Sequence, residues 1–392
     1  MLMKTVFIGL GLGIFCANAG YMAFYTFIPL HARMIGASMG EIGLLLATYS
    51  LVSTFMITVF GRLSDIGDLR RLFIVSGLWG CALTYYFLSV SSQYVQLLVL
   101  CLILGIVDSA YRPTSVALIA EMAPRGEVGR GIGFFNAFIS AGMASGSLLG
   151  GRIADIFGLP AVFTVSSLLL IVGAASSLVV FRHGGHHDMR MVEGKSSRKG
   201  LSFIVTSGLL VLCVDVFLRN CGFRGVTTYL PIFLTLIGAE NLLTGFIVSV
   251  NFLSQIFFMP VMGWLSDRVG RKNVLSIGML ATTFATFLLS YVRDPIEVIP
   301  IQIAVGFSWA SITVASNAFA ADVAPPGRVG EAMGIVLMSM NLGGVVGPVV
   351  GGFISEMFDL RSSFRILALF PMISFIISAV LVGRSKGFRG CI

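Results

Sequence analysis

Apolar blocks of about 20 residues alternate with short polar breaks along nearly the whole chain. They fall near residues 6–31, 41–61, 72–91, 95–119, 131–155 and 159–181, and then 203–236, 243–263, 274–292, 296–319, 331–355 and 363–383. A block of that length, wound as a helix, crosses a hydrocarbon core of about 30 Å. Lipid offers no hydrogen-bond partner to the backbone, so each block is expected to be helical. The strongly alternating ten-residue segments that build a membrane barrel are missing. The pattern therefore predicts an all-α membrane protein with twelve transmembrane helices.

The one sustained polar stretch, 182–200, carries His183, His186, His187, Arg190, Lys195, Arg198 and Lys199. It divides the chain into six-helix bundles at 1–181 and 201–392. Lys and Arg concentrate in short cytoplasmic loops. With the N-terminus inside, the inner segments hold Lys4, Arg62, Arg70, Arg71, Arg125 and Arg130, the basic residues of the linker, and then Arg268, Arg271, Lys272, Arg328, Arg384, Lys386 and Arg389. The outer segments hold Arg33, Arg293, Arg361 and Arg365. Both termini and the linker are thus expected in the cytoplasm, with the protein multi-pass in the plasma membrane. Arg152 and Asp155, at the outer end of the fifth helix, read as interfacial.

An internal repeat supports two bundles with the same topology. Gly61-Arg-Leu-Ser-Asp65 recurs as Gly263-Trp-Leu-Ser-Asp267, 202 positions on. Asn18, Gly20 and Pro29 recur as Asn220, Gly222 and Pro231 at the same offset. Gly146, Gly150 and Gly151 recur as Gly347, Gly351 and Gly352, 201 positions on. Parallel repeats are a common transporter design, with the solute site at their interface. The repeat also resolves an ambiguity at the start of the chain. Lys4, the apolar run and Ala17-Asn18-Ala19 imitate a cleaved signal peptide, but this segment has an internal counterpart, which argues for a retained helix.

Composition narrows the reading. The chain is 56% hydrophobic and 11% charged, against roughly 25% charged for soluble proteins. The net charge of +8 follows topology rather than a nucleic-acid footprint. The six cysteines (Cys16, Cys81, Cys101, Cys213, Cys221 and Cys391) have neither metal-ligand nor CxxC spacing. Gly194-Lys195-Ser196 imitates the end of a phosphate loop, but Met189 stands where a glycine is required. The linker histidines with Asp188 read as a solvated segment. No metal, cofactor or nucleic-acid partner is expected, and no catalytic constellation argues for an enzyme or a sensor.

At this point the motifs resemble those of the major facilitator superfamily over nearly the whole chain. Its loop motif G-x-L-a-D-r-x-G-r-k stands as Gly263-Trp-Leu265-Ser-Asp267-Arg268-Val-Gly270-Arg271-Lys272. The first copy keeps Gly61, Leu63 and Asp65, then departs at Ile66, Asp68 and Leu69 before Arg70 and Arg71. The resemblance implies a latch that stabilises one access state. The helix-five motif G-x-x-x-G-P-x-x-G-G is met by Gly142, Gly146, Gly150 and Gly151, with Ser147 in place of proline. The eleventh helix carries it in full as Gly343, Gly347, Pro348, Gly351 and Gly352. Close helix packing alone explains these glycines, and likeness to efflux antiporters is the functional alternative. The family's helix-four arginine is not matched, since Cys101 precedes Gly105 and Arg112 comes later. Proton coupling through that arginine is therefore not implied.

Charge inside the membrane points to function, because an ionised group at mid-span costs about 2.5–3.5 kcal/mol. Asp108 and Arg112 stand at i and i+4, as do Asp215 and Arg219, with Arg224 beyond. Both spacings predict ion pairs. Separating a pair would let its carboxylate load a proton, and pairs that only pin helices are the structural alternative. The arginine surplus favours solutes with a carboxylate or phosphate over cations. Asn18, Tyr21, Tyr25, Asn251, Gln255, Trp309 and Asn317 are further candidates to line a cavity or to bond between helices. The leading expectation is a monomeric, lipid-embedded transporter working by alternating access and exchanging protons for a drug or metabolite. An organic-anion importer or exchanger without proton coupling is the alternative.

Overall fold

The structure, a computed structural model, describes residues 2–64, 70–122, 128–183, 208–325 and 328–380. Side chains are described from residue 11 onward within these ranges, apart from 62, 116–135 and 179–183. Asp65, the linker histidines with Asp188, Gly194-Lys195-Ser196 and Cys391 lie outside the described residues.

In chain order the helices are α1 (Leu2–Met34), α2 (Met39–Ser64), α3 (Arg70–Ser89), α4 (Tyr94–Met122), α5 (Val128–Phe157) and α6 (Leu159–His183). Then follow α7 (Leu209–Leu236), α8 (Asn241–Val269), α9 (Arg271–Leu289), α10 (Val298–Val323), α11 (Val329–Met357), α12 (Leu360–Leu367) and α13 (Leu369–Val380). The twelve expected spans are present, the last of them divided into α12 and α13 at Ala368. Ten spans among the described residues are long and apolar enough to cross a membrane. Helix α7 is not among them, and it is the helix that carries Asp215, Arg219 and Arg224. Pro29, Pro113, Pro231, Pro260 and Pro348 all lie inside continuous helices. Large apolar side chains such as Leu83, Val95, Phe257, Phe284 and Met357 are exposed, a surface suited to lipid rather than water.

The chain forms two compact units. The first comprises Met1–Ser38, Thr48–Arg190 and Leu234–Phe252, and the second comprises Met39–Ala47, Met191–Phe233 and Leu253–Ile392. In the first, α1 packs on α5 and α6, and α3 packs on α4 and α6. Phe24, Phe27, Ile28, Leu88, Leu97, Leu104 and Phe163 are fully buried there. In the second, α9 packs on α10 and α13, and α11 packs on α10 and α12. Its core includes Leu209, Leu212, Val216, Met279, Phe319 and Val336.

Each unit takes the start of one helix from the other half of the sequence, and in both cases a carboxylate secures it. In the second unit the main-chain N–H of Gly40, at the start of α2, donates to Glu356 Oε1 at the end of α11 (2.8 Å). In the first unit Asp155, near the end of α5, accepts from the N–H groups of Asn241 (3.1 Å) and Leu242 (2.8 Å) and from Asn241 Nδ2 (2.9 Å) at the start of α8. These are unsatisfied donors at helix N-termini, where an anion is favoured. Asp155 is therefore more than an interfacial charge: it caps a helix. Residues 155 and 356 stand 201 positions apart, so the two caps are copies of one another.

Candidate functional site

The first polar cluster belongs to the first unit and forms around Asp108 on α4, which is 2% exposed. One helical turn separates it from Arg112, and that spacing lets the two side chains meet. Arg112 Nε donates to Asp108 Oδ2 at 2.7 Å, and the Tyr49 hydroxyl donates to the same oxygen at 2.6 Å. The guanidinium lies 4.2 Å from the centre of the Tyr21 ring, a cation–π contact. Tyr21 in turn packs against Tyr25 and Tyr49, with ring centres 5.9 and 6.1 Å apart. The expected Asp108–Arg112 pair is formed. Tyr49 was missed because nothing in its local sequence sets it apart from any tyrosine in an apolar helix.

The expected Asp215–Arg219 pair on α7 does not form. Asp215 is fully buried and turns to α13, where the Ser374 hydroxyl lies 2.7 Å from its Oδ1 and 3.0 Å from its main-chain carbonyl. Ser378, one turn further on, bonds Ser276 of α9 at 2.9 Å, and its hydroxyl also lies close enough to act on the Asp215 carboxyl. Asp215 Oδ2 has no hydrogen-bond partner among the described residues. Ser374 and Ser378 also stand at i and i+4, and that polar pair within an apolar helix was the available signal for a partner to Asp215.

Arg219, likewise fully buried, turns toward α9 and α10. Nε donates to Thr282 Oγ1 and Nη1 to Asn220 Oδ1, both at 3.3 Å. The guanidinium carbon lies 4.3 Å from the Phe223 ring centre and 5.1 Å from that of Trp309. Nη2 has no partner among the described residues. Phe223 sits one turn along the same helix, and its ring occupies the face of the guanidinium. Two aromatic faces and two neutral acceptors thus hold the side chain that the spacing assigned to Asp215. Arg224 carries a second positive charge close enough to act on Arg219.

The remaining candidates are dispersed. Asn18 is buried and its Nδ2 donates to Ile14 O at 2.8 Å, within α1 rather than between helices. Its copy, Asn220, reaches across to Met340 O of α11. Tyr25, Asn251 and Gln255 are buried, and Trp309 and Asn317 are half-buried.

The second copy of the loop motif folds into a charge network within the second unit. Arg271 bonds Asp267, donates from Nε to Asp322 Oδ2 of α10 at 3.3 Å, and reaches Ser266 Oγ at 3.2 Å. Arg268 lies over the Trp264 ring at 4.1 Å. Gly270, between α8 and α9, has φ of 90°, a conformation that glycine alone adopts without strain. Lys272 is half-buried at the start of α9, and a methyl group at Gly263 would stand 3.8 Å from Val314 Cγ1. In the first copy, Gly61 O accepts from Ser64 Oγ (2.8 Å), and Arg70 Nε donates to Ser64 O (3.4 Å).

The glycine motifs act in packing. A methyl group at Gly142 would stand 2.6 Å from Phe15 O of α1, and one at Gly146 would overlap Ala19 O. Gly150 faces the Phe27 ring. On α11, a methyl at Gly347 would overlap Cys221 O, and one at Gly351 would meet Gly225 O at 2.9 Å. The Pro348 carbonyl accepts from the Tyr229 hydroxyl at 2.7 Å. Ser147, in the corresponding place on α5, bonds Met143 O and Ala144 O of its own helix instead.

Comparison with known proteins agrees with this architecture. The family model described as Major Facilitator Superfamily matches residues 10–246 and 216–390. A relative from Lactococcus lactis, called a multi-drug resistance efflux pump PmrA homolog, is 26% identical, with 94% of this chain and 93% of that protein covered. The multidrug resistance protein MdtG of Escherichia coli is 22% identical, with 91% and 89% covered. Among solved structures, the nucleoside transporter NupG superposes with a TM-score of 0.80 at 14% identity over 96% of this chain and 98% of that one. That likeness concerns the fold alone.

Proposed function

Because the chain belongs to the major facilitator superfamily, we propose that it exports a drug or small metabolite across the plasma membrane in exchange for protons. Both termini and the linker 182–200 face the cytoplasm in this reading, and the halves 1–181 and 201–392 give alternating access within a monomer. Export as the direction is supported by the names of the efflux relatives and by the glycine motifs on α5 and α11.

The observation that carries proton coupling is Asp215. It is a fully buried carboxyl with a serine hydroxyl on one oxygen and no partner for the other among the described residues. An ionised carboxylate without a cation is costly in such a place, and a proton removes that cost. Asp108 is the contrasting case, neutralised by Arg112 and Tyr49. It would take up a proton only when a change of access state draws the pair apart.

The test uses proteoliposomes loaded with a pH-sensitive dye. Solute-driven proton movement is expected for the unaltered protein and is lost in Asp215→Asn. That variant retains counterflow of labelled solute, because its amide imitates the protonated side chain. Undiminished proton flux in Asp215→Asn would refute the assignment. Solute exchange without any proton flux would favour an uncoupled importer or exchanger, a reading that the closed Asp108–Arg112 pair supports.

A further inference from the structure

We infer that Arg219 is the receiving group of a solute anion, and that the cargo is an organic anion joining a carboxylate or phosphate to a flat apolar part. This deepens the reading of the chain as a solute exporter and rests on it. Four observations on the second unit combine. Arg219 is fully buried, its hydrogen bonds go to the neutral oxygens of Thr282 and Asn220, and Nη2 has no partner among the described residues. The carboxylate one turn away, Asp215, is engaged with Ser374 instead.

A buried guanidinium bonded only to neutral groups leaves most of its desolvation cost unmet, and an anion on its unbonded edge would recover it. Guanidinium also matches the planar fork of a carboxylate or phosphate.

The apolar part of the ligand follows from the two rings. Phe223 and Trp309 cover the guanidinium, with ring centres 5.7 Å apart and planes inclined at 39°. The site is closed as it stands. Trp309 is the one member of the trio that is not fully buried, so entry would proceed by displacement of its ring, and a flat apolar group would take over the stacking that the ring gives up. A solute of this kind satisfies both the charge and the surface uncovered beside it. A small inorganic anion would satisfy only the charge.

Trp309 supplies the readout. The chain has three tryptophans, and the other two, Trp79 and Trp264, are 45% and 54% exposed, so Trp79→Phe with Trp264→Phe leaves Trp309 as the sole emitter. The purified protein is titrated with 3-phenylpropionate, 3-phenylpropanol and 3-phenylpropylamine, which share a ring and differ in charge. The carboxylate is expected to change Trp309 emission saturably, with a Kd ~10-fold or more below that of the alcohol, and the amine to leave it unchanged. Arg219→Gln should raise the carboxylate's Kd ~10-fold or more without altering the alcohol's, and Arg219→Lys should fall between. Equal binding of the three compounds, silence with the carboxylate at millimolar concentration, or an unchanged Kd in Arg219→Gln would overturn the inference. Should Arg219→Gln fail to fold, the charge series on the arginine-bearing protein decides the matter alone. No proton gradient enters this measurement, so its failure leaves proton exchange standing, and a failure of proton exchange leaves it standing.

Discussion

At Asp108 two donors share one carboxylate oxygen, the Arg112 guanidinium and the Tyr49 hydroxyl. Removing one partner of a buried ion pair leaves the other uncompensated, a loss of about 3–5 kcal/mol. Arg112→Gln should therefore lower the apparent melting temperature in detergent sharply. Asp108→Asn combined with Arg112→Gln should recover much of that loss, because an amide pair leaves no lone charge. Asp215→Asn should change melting little or raise it, since no cation is orphaned there. A fall in Asp215→Asn as large as that in Arg112→Gln would show that Asp215 has an ionic partner after all. Both i,i+4 spacings were plain in the sequence, and one became a pair while the other did not. The difference lies in Ser374, Phe223 and Trp309, and two of these sit on helices, α13 and α10, that are far from α7 in the chain. Local spacing states which side chains can meet but not what else competes for them.

The glycines of α5 and α11 differ from the glycine of the loop motif in what surrounds them. Gly146→Ala and Gly347→Ala each set a methyl group into a carbonyl of the neighbouring helix, an overpacking loss of about 1–3 kcal/mol. Gly263→Ala meets only Val314, 3.8 Å away, and should melt near the unaltered protein. Equal melting of all three variants would show that the motif glycines do not set helix separation. At the start of α12, Asp359 accepts from the main-chain N–H of Ser362 at 3.0 Å. Bonding to Ser362, side chain and main chain, together with the Arg361 N–H and the charge of Arg365, holds this carboxyl below its usual range. A depressed carboxyl stabilises above its unfolded pKa, about 3.9, and the contribution fades as pH falls through the lower folded value. Asp359→Ala should therefore cost about 1 kcal/mol near neutral pH, and the gap in melting between variant and parent should close only in strong acid. A gap that is the same at both pH values would assign the effect to packing. Helix positions were legible from hydropathy because a span needs one unbroken apolar run. The division of the last span at Ala368 was not foreseen, although Pro371 was its signal, because a proline has no N–H to return to Leu367 and its ring crowds that carbonyl.

For the molecule as a whole, the duplication is what the sequence revealed most fully, and the loop and glycine motifs carried the resemblance to the family. What it left open is which copies touch. An offset of 201 relates Asp155 to Glu356, but it does not say that each would cap a helix from the other half of the chain. Both contacts depend on tertiary geometry, with donors supplied by main-chain N–H groups that every non-proline residue has. Asp155→Ala and Glu356→Ala should each lower melting by a loss of about 1 kcal/mol. The two caps share no residue, so the double variant should show the sum. A double variant no worse than either single one would mean that the caps are not independent.

The same contact sets a schedule for biogenesis. Gly40 and Glu356 are 316 residues apart, and at roughly 5–20 residues per second a ribosome needs about 15–60 s to travel between them. Throughout that interval the start of α2 has been made while the carboxylate that will hold it has not. A nascent chain interrupted before α11 would carry α2 with its first turn uncapped, a form for membrane quality control to recognise.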